Sequence, residues 1–146
     1  MRIVIDNQDR IDGSDSDFKV EIPVSIDQSN KQFQVIIEQV LISEVTPHDG
    51  GATLPFLYIN SDTLLTNTIE SNGSTNSTSL CLVPFLNWDG NGTEGFATYY
   101  YQGSGEVNFK LNKIDRIQHF WLSSRLSDSF TALDYFISIV LNLKEI

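Results

Sequence analysis

Apolar and polar residues alternate along this chain in short runs, and turn-forming residues separate the runs. Residues 2–6 alternate weakly between polar flanks. Phe18, Val20 and Ile22 share one face of a second run, with Lys19 and Glu21 opposite. Pro23 interrupts this run, and a residue with no N–H to donate predicts an edge position or a bulge there. The longest signal covers 32–45. Phe33, Val35, Ile37 and Leu41 share one parity, and Gln32, Gln34, Glu38 and Glu44 the other. Ile36, Val40 and Ile42 sit among the polar parity, so part of the outer face is expected to be covered. The β-branched and aromatic content favours strand over amphipathic helix. Further strands are predicted over 54–60, 80–86, 96–102, 107–111, 116–126 and 136–143. Turns are expected at 46–51, which includes His48, in the Asn/Ser/Thr/Gly-rich 72–79, in the polar 87–95, at 103–105 and at 127–129. Residues 61–65 read equally as a short helix or as strand.

Eight or nine strands with almost no helix predict an all-β fold. The expected form is a two-sheet antiparallel sandwich, a single jelly roll of about eight strands in one domain over 1–146. Residues 46–53 and 61–79 could supply the longer connections that cross between sheets.

Composition narrows the function. With 146 residues and a 40% hydrophobic content, one core can be buried without staples. No apolar stretch is long enough for a membrane-spanning helix, so no membrane insertion is expected. Residues 1–5 lack a secretory leader pattern, and the fold is expected to begin at Met1. The net charge of −10 repels phosphate backbones, which disfavours nucleic acid as a partner. Cys81 is the single cysteine, lies in an apolar run and reads as a buried core residue of a protein made in a reducing compartment.

No catalytic set is legible. The histidines, His48 and His119, are far apart in sequence and cannot supply the clustered ligands of a metal-dependent jelly-roll enzyme. Flanked by aromatics, His119 reads as a packed, hydrogen-bonded side chain. Asn87, Asp89 and Asn91 before Gly92 resemble half of a calcium loop, but Thr98 stands where the bidentate acid is needed. Asp12, Asp15 and Asp17 form a second weak set, and Asx-rich turns are the preferred reading of both. Trp88, Tyr99, Tyr100 and Tyr101 are candidate interface residues, because consecutive strand residues point to opposite faces and at least one tyrosine must leave the core. A carbohydrate-binding, lectin-like sandwich, with or without calcium, is the alternative use of those rings.

The opening segment, residues 2–18, carries the most specific pattern. A short strand runs into Asp6-Asn-Gln-Asp9-Arg10, then a Gly13-containing turn, then Asp17-Phe18 and an alternating strand. Arg10 could fix this turn by pairing with Asp6, Asp9 or Asp12. The segment resembles the opening of single-jelly-roll penton and minor capsid proteins of virophages, polinton-like viruses and related large double-stranded DNA viruses. Asp6, Asp9, Arg10, Gly13 and Phe18 match that pattern. The strand 33–45, the Leu57-to-Leu64 segment, Leu80-Cys-Leu-Val-Pro-Phe85 and the closing strand are similar in order. The turn after residue 45 departs from the family, which often carries Ile-Pro and aromatics there. The resemblance implies a structural virion protein with no enzymatic activity and no cofactor. It further implies a homopentamer at the fivefold vertices, in contact with the major capsid protein and assembled in the host cell interior. Within it, Asp6, Asp9, Arg10 and Gly13 form a structural turn.

Overall fold

A computed structural model describes residues 1–22, 32–45, 54–64, 68–69, 75–76, 79–91, 94–111, 114–124 and 136–146. The strands are β1 (Arg2–Asp6), β2 (Asp12–Gly13), β3 (Asp17–Glu21), β4 (Phe33–Val45), β5 (Phe56–Asn60) and β6 (Thr68–Ile69). They continue with β7 (Thr75–Asn76), β8 (Ser79–Asn91), β9 (Glu94–Gln102), β10 (Phe109–Leu111), β11 (Ile117–Ser123) and β12 (Phe136–Glu145). A 3-10 turn, Asn7–Asp9, follows β1.

Among the described residues every strand pairing is antiparallel, and the fold is an all-β sandwich. The ladder runs β1-β12-β4-β9-β8-β5-β11-β3-β2, with β10 beside β4 and with β6 and β7 paired separately. Strand β8 takes part twice. Its first half pairs with β5, and from Phe85 onward it pairs with β9. Residues 87–91, expected as a loop, therefore extend β8 into a hairpin with β9, in which Trp88 lies opposite Ala97 and Asn91 opposite Glu94. Aromatic and β-branched residues around this polar stretch supply cross-strand partners, which outweigh the turn propensity of Asn and Asp.

Alternation places the core. Ile3 and Ile5, Phe18 and Val20, Phe120 and Leu122, and the odd residues from Ile137 to Leu143 all point inward into one apolar cluster. Phe18 and Phe120 are fully buried, with ring centroids 5.8 Å apart. Burying a side chain of this size contributes about 1.5–3 kcal/mol.

Strand β4 explains its own mixed pattern. Val35 and Ile37 face the core, and so do Val40 and Ile42. Opposite them, Val140 pairs with Gln39 and Leu141 with Ile37, so Glu38 is the extra residue of a bulge. One extra residue flips parity, because side chains alternate with period two. Leu41, expected inward with Val35, consequently lies on the other face and is half-buried. The bulge is held from its far side. Asn108 Oδ1 accepts from the Ile37 N–H at 2.7 Å, and the Gly103 N–H donates to the Glu38 carbonyl at 2.9 Å. The expected turn at 46–51 with His48 and the connection 46–53 that contains it, the Pro23 irregularity, most of 65–78 and the turn at 127–129 lie outside the described residues.

Candidate functional site: the opening turn, the histidine bridge and the aromatic strand

The opening turn is built by short side chains meeting backbone. Asp6 caps the 3-10 turn by accepting from the Gln8 N–H at 2.8 Å, as Asp does wherever an N-terminal amide lacks a partner. Asn7 is fully buried. Its amide donates to the Asp15 carbonyl at 3.2 Å, and its Oδ1 accepts from the Ile137 N–H of β12 at 3.1 Å. Asn7 thus ties the turn to the last strand. Sequence reasoning passed over it, although it continues the inward parity of Ile3 and Ile5.

Arg10 is ordered, but its partner differs from the three expected. Its guanidinium donates to Asp15 Oδ1 at 2.8 Å and to the Asn7 carbonyl at 3.1 Å. The intervening residues fold back on themselves, with the Ser14 N–H donating to the Asp17 carbonyl, and this brings Asp15 nearer than Asp12. Asp12 instead accepts from the Gly13 N–H. Gly13 sits at φ +96°, and a Cβ there would lie 2.1 Å from the Asp17 carbonyl oxygen, so only glycine fits. Asp9 is exposed.

A second polar cluster joins three elements. His119 of β11 bonds Asp17 of β3 through Nε2 at 2.6 Å, and Asp62, just after β5, through Nδ1 at 3.2 Å. Its ring lies against Trp121, tilted by 33° with centroids 4.9 Å apart. Lys19 lies opposite it in register. Burial works against charge on the imidazole, but the hydrogen bonds from Asp17 and Asp62 and their negative charges outweigh burial and raise the pKa above 6.5. In the imidazolium form both ring nitrogens carry an N–H, so each carboxylate then accepts one hydrogen bond. Beneath it, Thr63 Oγ1 donates to buried Gln118 Oε1 at 2.7 Å and accepts from the His119 N–H at 3.2 Å. The packed, hydrogen-bonded role expected of His119 matches this arrangement. Its partners were not legible, because they come together only through strand pairing.

The aromatic residues separate by parity. Tyr99 is buried, and its hydroxyl donates to the Leu54 carbonyl at 2.9 Å. Burial pushes that hydroxyl up to about 12, although the hydrogen bond works the other way. Tyr99 is therefore a core residue and not a surface one, which corrects the expectation from sequence. Its ring meets Phe85 edge-on at 5.9 Å. Tyr100 is half-buried, and Trp88 and Tyr101 pack against the core while remaining partly exposed. On the other half of the ladder, Phe56 and Tyr58 meet edge-on at 5.4 Å, beside exposed Leu82 and Pro84.

Cys81 is buried, and desolvation lifts its thiol to about 12, which keeps it protonated and chemically quiet. Among the described residues no group of three His, Cys, Asp or Glu side chains could hold a metal ion. No helix among them is long and apolar enough to cross a membrane. Two of the clefts lined by described residues border the ladder. One, of about 390 Å³, is lined by Leu80, Cys81 and Tyr101 among others. The other, of about 280 Å³, lies along β1 and β3. No protein-family model matches the chain, and no curated protein matches it.

Proposed function

We propose that this chain is a virion structural protein, a single jelly roll that assembles as a homopentamer at capsid vertices and meets the major capsid protein at its rim. One observation carries the reading. The long strands pair in nested order: β1 with β12, β3 with β11, β4 with β9 and β5 with β8. An antiparallel ribbon that pairs first with last and rolls up gives the jelly-roll order, β1-β12-β4-β9 on one side and β3-β11-β5-β8 on the other. The opening segment that resembles penton and minor capsid proteins supports the same reading. Its turn is fixed at both ends, by Arg10 to Asp15 and by Asn7 to β12.

The role is geometric. A sandwich closed by interdigitated side chains is a stiff wedge, and identical wedges with heterologous faces close into a finite ring. Half-buried Tyr100 and exposed Phe96 share the outer face of the β8–β9 hairpin and provide apolar lateral surface for such contacts, while partly exposed Trp88 lies on the opposite face with Ala97. Sedimentation of the purified chain over a concentration series tests this. The expected result is a transition from monomer to a five-chain species. A monomer at every concentration and salt level contradicts self-driven ring formation.

A further inference from the structure

We propose that the outer edge of β1 is a strand-addition site for an extended, cationic segment of another protein. The inference does not rest on the vertex reading and survives its failure.

The edge is open. Met1 and Leu143 exchange hydrogen bonds in both directions, and Ile3↔Leu141 and Ile5↔Ile139 continue that register. In an antiparallel pair, residues alternate between bonding the neighbour and facing away from it. The backbone groups of Arg2, Val4 and Asp6 therefore turn outward from β12. Strand β1 ends the ladder, so no described strand meets them. Val4 also leaves 64% of its surface exposed, the largest fraction among the exposed large hydrophobics of the described residues.

Beside this edge runs the 280 Å³ cleft. Its floor is apolar, made by Ile3 and Ile5 of β1 with Val20 and Ile22 across the gap. Its rim is acidic. Asp6 and Asp9 stand at one end, and Glu21, paired with Arg116, stands on the far side. Each part specifies the occupant. Outward N–H and C=O groups at strand spacing call for an extended backbone. The apolar floor takes every second side chain of that backbone, as in other strand-addition complexes. The carboxylates select a lysine or arginine among the remaining side chains. A second copy paired through its own β1 is the poorer occupant of this cleft, because it would bring its Asp6 and Asp9 to a rim that already carries Asp6, Asp9 and Glu21.

The test selects seven-residue peptides from a random displayed library against the full chain. The expected binders alternate apolar residues and carry at least one Lys or Arg. Their binding slows hydrogen exchange at the Val4 amide. N-methylating the peptide at the bonding positions weakens it by about tenfold or more, and Asp9→Asn weakens binding in the chain. Val4→Pro, which removes the Val4 N–H from the edge and leaves the ladder to β12 in place, abolishes it. The proposal is overturned by a selection that yields no binder, by N-methylated peptides that bind equally well, by binding that leaves Val4 exchange unchanged, or by pairing of two copies of the chain along β1.

Discussion

Asn7 and His119 do the most at the residue scale. Asn7 is a fully buried, uncharged amide, and it satisfies the Ile137 N–H while donating to the Asp15 carbonyl. Asn7→Ala leaves those buried groups unmatched, and we expect a loss of about 1–3 kcal/mol in denaturant unfolding. Asp9→Asn, at an exposed position, is the control expected to change stability little. His119 gives a pH signature. Its pKa is higher in the folded chain than the ordinary 6.5, so the bridges to Asp17 and Asp62 contribute fully below the unfolded value. That contribution is lost as pH rises through the folded value. Both carboxylates are more than half exposed, so screening keeps the effect small. His119→Gln should lower Tm more at about pH 5.5 than at about pH 8. Equal losses at both pH values contradict the charged bridge. The sequence showed His119 as packed among aromatics, but it could not show Asp62, which lies far off in the chain and arrives only because β11 pairs with both β3 and β5.

At the scale of elements, alternation was readable wherever a strand kept one parity. The inward faces of β3 and β12 follow directly from which residues are apolar, whereas both parities of β11 carry large apolar residues and the fold turns Phe120 and Leu122 inward with buried Gln118. Strand β4 was harder, because its bulge at Glu38 changes the inward set halfway along and turns Leu41 outward. The polar stretch 87–91 was harder still, since its strand character comes from pairing with β9 and not from its own composition. Tyr99 was misassigned for a related reason: a run of three tyrosines shows that both faces are used but not which ring goes inside. The bulge offers a direct test. A Cβ on Gly103 would lie 2.0 Å from the Ile37 carbonyl oxygen, so backbone must move. Asn108→Ala removes the acceptor for the Ile37 N–H. We expect Gly103→Ala and Asn108→Ala each to cost about 1–3 kcal/mol. Because they act on one bulge, the double variant should cost less than the sum of the two in a denaturant double-mutant cycle.

At the scale of the whole molecule, the sequence made the all-β class legible, and the nested pairing adds the order that points to a jelly roll. That pairing joins the two ends of the described chain, with Ile3 opposite Leu141, so folding must close its longest loop to complete the ladder. Such topologies fold in about milliseconds to seconds, and stopped-flow refolding should show this range. On the proposed function, the opening turn and the aromatic hairpin serve as parts of a building block. The most direct test is cryo-electron microscopy of the purified protein at high concentration. The account predicts class averages of rings with fivefold symmetry, in which the β8–β9 hairpin lies between neighbours. Particles that remain single sandwiches, or rings of any other order, contradict it.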